Sequence, residues 1–156
     1  ETVSAHCDGP CGVYDPAQAR VHAEAVVSMT KKILDLDPSD GTHKTANTLS
    51  RFIAIKEEEA HATKTDLLVL WTSWRVLTGR TLVPFLLVLW TDYFKPQHLE
   101  QFPDLHDTFW KAAKLCSTTK VEVNLDAANE LLETVKKIHE MFWKSKGKDV
   151  PWITAS

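Results

Sequence analysis

Three side chains near the amino terminus combine donor atoms that bind transition metals. His6, Cys7 and Cys11 supply one imidazole and two thiols within a span of six residues. Soft thiolates beside nitrogen donors suit late first-row metals, whereas a closed zinc site usually needs four ligands and this stretch supplies three side chains. Two cysteines at this spacing also suit a redox disulfide or plain structural thiols. The residues alone therefore leave three interpretations open: a metal site, a disulfide and structural thiols.

The segments that must position this donor set are a loop and a series of helices. Residues 1–15 show no periodicity, and Asp15–Pro16 provides a helix N-cap followed by proline at the first helical position. Apolar residues at spacings of three and four, with scarce glycine and little β-type alternation, favour helices in the rest of the chain. We therefore predict an all-α antiparallel four-helix bundle with an extra inserted helical segment. The predicted helices cover about 16–36, 45–77 and 82–94. Two more begin at Phe102–Pro103–Asp104, with Trp110 in the core-facing stripe, and at an Asp126 cap.

The apolar stretch at residues 67–91 contains a duplication. The sequence LLVLWT at residues 67–72 recurs at residues 86–91, with an offset of 19 residues. Two arginines, a glycine and a proline near the middle of the stretch argue against a membrane span, because a charge at the bilayer centre is costly. In one continuous helix the insertion at 67–85 would rotate one copy by about 100° away from the core. We therefore expect the chain to bend between the two copies.

Composition excludes some classes of protein and suggests the role of isolated residues. A length of 156 residues suffices for one domain with a core, and a net charge of −3 argues against nucleic acid as a partner. Three cysteines without a regular framework argue against a disulfide scaffold. Cys116 is interpreted as a small buried residue. The charged run KEEE at residues 56–59 is interpreted as a solvated helix face.

Residues 6–20, HCDGPCGVYDPAQAR, resemble the amino-terminal signature of mature nickel superoxide dismutases. The sequence LWTDYFKP at residues 89–96 resembles the central segment of that family, and residues 103–106 and 138–143 match more loosely. The likeness covers most of residues 6–148 apart from the inserted repeat. It implies a four-helix bundle assembled as a homohexamer with one nickel ion per subunit. It also implies an antioxidant oxidoreductase that converts superoxide to dioxygen and hydrogen peroxide.

The resemblance further implies a ligand set for nickel within residues 6–15, which we call the hook. The implied ligands are the thiolates of Cys7 and Cys11, the backbone nitrogen of Cys7 and the α-amine of His6. The His6 imidazole is implied as the axial ligand of the oxidised state. Thiolate and deprotonated amide donors push electron density onto a metal ion, which makes its higher oxidation state accessible.

The resemblance also implies roles for further residues near the nickel ion. Tyr14 is expected to stand near the open face of the metal and to control anion access, and Tyr93 is expected behind it. Backbone N–H groups near Asp8 and Cys11 are expected to hold a small anion, and a cis bond before Pro10 would sharpen the hook. For Tyr93 the alternative is a core aromatic residue with a satisfied hydroxyl.

Two positions depart from the family's pattern around the implied axial imidazole. The family has a carboxylate at the position of His22 and an arginine at that of Glu59, and these partners orient the imidazole. Here the charge types are reversed. We expect either a His22–Glu59 pair that supports His6 with a different hydrogen-bond polarity, or two ordinary surface residues.

The residues before the hook change the chemistry of the implied amine ligand. With Ala5 attached, the His6 nitrogen is an amide and does not ligate as a neutral amine. The small residues that end at Ala5 suit the tail of a removable leader, although no complete signal peptide is present. We expect cleavage after Ala5 to precede nickel loading. The family resemblance implies a cytoplasmic protein, while a leader leaves export or plastid routing open.

The expected organisation and function follow from these observations. A nickel-dependent superoxide dismutase is expected, with superoxide as substrate and with neither nucleic acid nor membrane as a partner. The alternatives are an inactive precursor, and a metal-binding or thiol-binding helical oligomer without dismutase activity. The predicted segments are a leader at 1–5, the hook at 6–15, a helical bundle at 16–148 with the tandem insertion at 67–85, and a tail at 149–156.

Overall fold

Helices make up every regular element in the part of the chain that the structure describes. This structure is a computed structural model, and it describes residues 13–71, 93–94 and 96–154. A short 3₁₀ turn, Pro38–Asp40, connects the first two helices. None of the helices in these ranges is long and apolar enough to cross a membrane. The helices are α1 (Ala17–Leu34), α2 (His43–Trp71), α3 (Pro96–Gln101), α4 (Leu105–Val121) and α5 (Leu125–Ser145).

The four long helices enclose one core. Helix α1 packs against α2 and α5, and α4 also packs against α2 and α5, so the four form a closed ring. The predicted all-α bundle is therefore confirmed. The residues that fill the middle of the ring are aliphatic and aromatic, and they include Ala19, Ala23, Leu67, Leu70, Phe94, Leu105, Phe109, Ala112, Cys116, Leu131, Val135, Ile138 and Phe142.

Helix α5 has the clearest amphipathic pattern. Leu131, Val135, Ile138 and Phe142 follow one another at spacings of three and four, and all four are fully buried. The helix begins after Asn124, whose side chain accepts a hydrogen bond of 3.0 Å from the Ala127 N–H. The prediction that Asp126 caps this helix is wrong, because Asp126 already lies in its first turn.

Helix α4 presents a different face to the core than the sequence suggested. Phe109 and Ala112 are buried, whereas Trp110 is 55% exposed and lies beneath the Lys114 ammonium. The placement of Trp110 in the core is therefore wrong. One residue along a helix rotates a side chain by about 100°, which moves Trp110 out of the buried stripe.

The start of α1 fixes the direction in which the chain leaves the hook. The carboxylate of Asp15 accepts a hydrogen bond of 2.8 Å from the Ala17 N–H, and this satisfies one of the free donors at the helix start. Pro16 is buried, and its carbonyl accepts the first turn's bond from the Arg20 N–H. The sequence prediction for the beginning of this helix holds to within one residue.

Most of the first copy of the repeat, residues 67–71, lies in helix α2. Helix α2 is described as far as Trp71, and the rest of the predicted 45–77, like most of 82–94, lies outside the described residues. Tyr93 and Phe94, which the prediction placed in a helix, are not helical. Leu70 from the first copy is buried, and its carbonyl accepts a hydrogen bond of 3.2 Å from the Phe94 N–H. The chain before and after residues 72–92 therefore meets in the core.

Lys56 corrects the interpretation of residues 56–59 as a solvated face. Its side chain is 1% exposed, and the ammonium donates to the carbonyl oxygens of Thr119, Lys120 and Glu122 at 2.5, 3.1 and 3.0 Å. These acceptors lie at the end of α4, where carbonyl groups lack partners within the helix. Lys56 of α2 therefore caps α4. Burial lowers the pKa of its ammonium, and the charge of Glu57 opposes that shift.

Candidate functional site

The structure describes four of the nine site residues named from the sequence. These are Tyr14, His22, Glu59 and Tyr93, and they form two contacting pairs. No group of three or more His, Cys, Asp or Glu residues in the described ranges is arranged to hold a metal ion. The other five site residues lie outside the described residues, so the expectations about them stay predictions. They are His6, Cys7, Asp8, Pro10 and Cys11.

The two tyrosines meet although they are far apart in the sequence. The ring centroids of Tyr14 and Tyr93 lie 5.7 Å apart at an interplanar angle of 57°, within the range for favourable aromatic contact. Tyr93 also packs on Phe142 of α5, with 4.4 Å between centroids. The start of α1 positions Tyr14, and the buried end of α5 positions Tyr93. The end of the hook, at Tyr14, therefore contacts the bundle through this pair.

The hydroxyl of Tyr93 has a defined hydrogen-bond direction. It lies 2.7 Å from the Ser145 Oγ, and the Ser145 hydroxyl itself donates to the Phe142 carbonyl at 2.7 Å. A serine hydroxyl has one proton, and a carbonyl accepts only. The Tyr93 hydroxyl is therefore the donor to Ser145, and its oxygen keeps acceptor capacity. Because the Tyr93 hydroxyl has a hydrogen-bond partner, the structure agrees with the interpretation of Tyr93 as a core aromatic residue. A role of Tyr93 beside the hook stays a prediction.

Sequence reasoning missed two residues that organise this pair. Ser145 is the last residue of α5, and Lys146 is its C-cap. The Lys146 ammonium donates to the Tyr14 carbonyl at 3.2 Å and lies 5.3 Å from the Tyr93 ring centroid. Gly147, with a φ of 66°, was the one local signal for this site, because glycine after a helix end adopts the left-handed conformation without strain.

The second pair joins α1 to α2. The Nδ1 of His22 lies 2.5 Å from a carboxylate oxygen, Oε2, of Glu59, and both side chains are about three-quarters buried, with exposures of 22% and 25%. The structure thus brings together the two positions whose charge types are reversed relative to the family's pattern. Their support of His6 stays a prediction.

Neighbouring groups fix the tautomer of His22. An ionised carboxylate only accepts, so Nδ1 carries the proton that is donated to Glu59. The Nε2 atom lies 3.0 Å from the amide nitrogen of Gln18, which is a donor, so in the neutral imidazole Nε2 accepts. The carboxylate of Asp66 lies farther away, 3.7 Å from Nε2. Both ring nitrogens of His22 are engaged, and Oε1 of Glu59 is the acceptor that the described contacts leave available.

The remaining cysteine does not belong to either pair. Cys116 is 1% exposed in the core, which confirms its interpretation as a small buried residue. Burial raises the pKa of its thiol to about 12, although the charge of Lys64 acts in the opposite direction. A protonated, enclosed thiol is neither a nucleophile nor a metal ligand at neutral pH.

Comparison with protein families identifies one match over nearly the whole chain. The model of the family described as nickel-containing superoxide dismutase matches residues 1–80 and residues 78–146. The boundary between the two matches falls inside the repeated stretch at 67–91. The two matched segments overlap at residues 78–80, and the proposed insertion at 67–85 stays a prediction.

The similar proteins and solved structures are also nickel superoxide dismutases. The chain is 36% identical over 144 residues to the superoxide dismutase [Ni] of Streptomyces seoulensis, covering 92% of this chain and 90% of the relative. It is 36% identical over 145 residues to that of Streptomyces coelicolor, covering 93% and 91%. A native nickel superoxide dismutase structure aligns with a TM-score of 0.68 and 32% identity, covering 90% of this chain and 99% of the other. A structure with nickel ligation corresponding to the oxidised state aligns with a TM-score of 0.68 and 33% identity, covering 91% and 99%.

Proposed function

The chain belongs to the nickel-containing superoxide dismutase family, and on that premise we propose that it converts superoxide to dioxygen and hydrogen peroxide with nickel bound by its hook. The observation that carries the proposal is the donor set of His6, Cys7 and Cys11 directly before Tyr14. Nickel supplies one-electron cycling between two oxidation states when it is bound. Two superoxide anions and two protons give one dioxygen and one hydrogen peroxide.

The chemistry of the donor set fits nickel. Two thiolates, a backbone nitrogen, an amine and an imidazole are the N and S donors that late first-row metals prefer. Cys116 is buried in the core, away from solvent, so the two hook cysteines supply the thiolates. We assign Cys7 and Cys11 as thiolate ligands and His6 as the nitrogen ligand.

The tyrosine pair restricts access rather than supplying both protons. Because the Tyr93 hydroxyl donates to Ser145, its proton is engaged in that hydrogen bond while the bond is kept. Tyr93 acts through its ring, which packs on Tyr14. The Tyr14 hydroxyl and water remain the candidate sources of protons for the peroxide product.

The His22–Glu59 pair would support the imidazole of His6, a proposed nickel ligand, through the Glu59 carboxylate. His22 uses both ring nitrogens, for Glu59 and Gln18, so Oε1 of Glu59 is the acceptor that suits an imidazole N–H of His6. In this arrangement His22 is a positioning residue that orients Glu59. The proposal predicts that Glu59→Gln shifts the nickel redox potential more than His22→Ala does. An unchanged potential in Glu59→Gln would refute the supporting role.

Processing of the chain is part of the proposed function. A free α-amine at His6 requires cleavage of the Ala5–His6 bond, and we propose that this cleavage precedes nickel loading. Nickel content and intact mass are to be measured on the same active sample. Full nickel occupancy and full activity with residues 1–5 still attached would refute the requirement.

We also propose that the protein assembles as a homohexamer in the cytoplasm. The family resemblance supports this assembly, as do large exposed apolar side chains on the single chain, namely Val13, Leu34, Trp110 and Val121. Light scattering should give six times the 17.6 kDa chain mass. A monomeric mass for the processed, nickel-loaded protein would exclude the hexamer, and recovery in an exported fraction would exclude the cytoplasmic site.

One experiment tests the enzyme against the alternatives. Processed protein loaded with nickel should consume superoxide, and the variants Cys7→Ser and Cys11→Ser should lose both nickel and activity. Cys116→Ser is the matched control, since that thiol is buried in the core. Nickel bound at one ion per chain without superoxide consumption would instead identify a metal-binding oligomer.

A further inference from the structure

The end of α5 places an ammonium group beside the tyrosine pair. The Lys148 N–H donates to the Trp143 carbonyl at 2.9 Å, and the Gly147 N–H donates to the Lys144 carbonyl at 3.0 Å. These two bonds form the Schellman motif that ends a helix. They fix the backbone on both sides of Lys146. The direction of the Lys146 side chain therefore follows from how α5 ends.

Lys146 links parts of the chain that are far apart in the sequence. Its ammonium donates to the Tyr14 carbonyl at 3.2 Å, across 132 residues. The same ammonium lies 4.4, 5.3 and 5.5 Å from the ring centroids of Phe142, Tyr93 and Trp143. These distances are within the range of cation–π attraction. Contacts with three rings and one carbonyl confine the charge to the point where the chain enters α1.

The charge of Lys146 is not neutralised by the described part of the protein. Among residues 13–71, 93–94 and 96–154, no carboxylate lies within salt-bridge distance of it. Aromatic faces and a carbonyl stabilise a cation without cancelling its net charge. A positive charge beside the tyrosine pair attracts an anion that approaches it. Superoxide, the substrate in the proposed function, is such an anion.

We infer that Lys146 is a positioning residue that holds the end of the hook, at Tyr14, against α5, and that its charge draws superoxide towards Tyr14 and Tyr93. The attraction rests on the proposed function, whereas the clamp on Tyr14 does not. The clamp and the attraction are therefore tested by separate measurements. Lys146→Met removes both, Lys146→Gln keeps a donor without the charge, and Lys146→Arg keeps both.

The clamp is tested on metal-free protein by the rate of chymotryptic cleavage after Tyr14, followed by mass spectrometry. Loss of a charge-assisted hydrogen bond should accelerate this cleavage about tenfold in Lys146→Met, with Lys146→Arg close to the parent. Lys148→Met is the matched control. This substitution removes the same charge two residues away, and the Lys148 ammonium lies 5.9 Å from the Trp143 ring centroid. Equal cleavage rates in Lys146→Met and Lys148→Met would overturn the clamp.

The attraction is tested on processed, nickel-loaded protein by kcat/KM for superoxide at several salt concentrations. One unit charge at a distance of about 4 Å in water changes the rate about fivefold, and screening at high ionic strength should remove the difference. Lys146→Gln should show this salt-dependent loss, and Lys146→Arg should not. A loss that persists unchanged at high salt would overturn the attraction. If the parent protein consumes no superoxide, the proposed function fails while the clamp result stands.

Discussion

The Tyr93 hydroxyl donates its proton to the Ser145 Oγ across 2.7 Å, because the serine proton is already given to the Phe142 carbonyl. This chain of two hydrogen bonds joins Tyr93, the second residue after the repeat, to the last residue of α5. It also orients the ring that packs on Tyr14. The tyrosine pair is therefore held by the end of α5.

The first prediction concerns the coupling of Tyr93 and Ser145. Ser145→Ala removes the acceptor of the phenol and should lower the free energy of unfolding by about 1 kcal/mol, the usual net value of one hydrogen bond. In the Tyr93→Phe background, Ser145→Ala should cost less, because the bond is already absent. Urea unfolding of the four proteins in a double-mutant cycle measures the difference. Additive losses would show that the two hydroxyls do not interact.

The sequence was informative where a pattern is local. The stripe of Leu131, Val135, Ile138 and Phe142 predicted the buried face of α5, because spacings of three and four define one side of a helix. Asp15 predicted the start of α1 for the same local reason. These features depend on residues within one or two turns, so no knowledge of the tertiary fold was needed.

The sequence failed where a contact joins distant segments. Lys56 looked like a solvated charge, but its acceptors lie 63 to 66 residues away at the end of α4. Lys146 reaches Tyr14 across 132 residues. No spacing rule encodes such pairs, because they arise only when helices have packed. His22 and Glu59 were named from the family's pattern, and the structure supplied their contact and hydrogen-bond direction.

The second prediction concerns the buried lysine that caps α4. Lys56→Met keeps most of the apolar stem but leaves the carbonyls of Thr119, Lys120 and Glu122 without this donor. The free energy of unfolding should fall by about 3 kcal/mol, since unpaired buried acceptors are costly. Urea denaturation followed by circular dichroism measures the change. Lys111→Met is the control, because Lys111 is about half exposed in its pair with Glu130 and should cost less than about 1 kcal/mol.

The third prediction concerns the pH dependence contributed by Cys116. Burial raises the pKa of this thiol to about 12 in the folded protein, against an ordinary value of 9.0. Between these values the unfolded chain releases the proton while the folded protein keeps it. The stabilisation present below pH 9.0 is therefore lost as the pH rises towards 12. The slope approaches about 1.4 kcal/mol per pH unit.

Cys116→Ala isolates this contribution, because all other titrating groups are shared with the parent protein. Unfolding free energies of both proteins are to be measured by urea denaturation at several pH values from 8 upwards. The parent should lose stability relative to Cys116→Ala as the pH rises. A constant difference between the two proteins would show that Cys116 titrates normally in the folded state.

The fourth prediction concerns the repeat. Deletion of residues 72–90 and deletion of residues 67–85 give the same polypeptide, because LLVLWT is common to both copies. The Phe94 N–H already donates to the Leu70 carbonyl at 3.2 Å, so these two residues, which flank the deleted stretch, already meet in the core. A shorter connection costs less entropy to close. The deletion variant should therefore fold with α2 intact and unfold at a higher urea concentration than the parent, by an amount worth about 1–2 kcal/mol.

Circular dichroism, light scattering and urea unfolding of the deletion variant provide the measurement. Deletion of residues 53–71 removes the same length but also removes Lys56 and the buried Leu67 and Leu70, and it should not fold. Comparison of the two deletion variants therefore distinguishes the effect of chain length from the effect of lost core contacts. If removal of residues 72–90 also abolishes folding, the junction between Leu70 and Phe94 does not suffice to complete the core, and residues 72–90 supply contacts that the bundle requires.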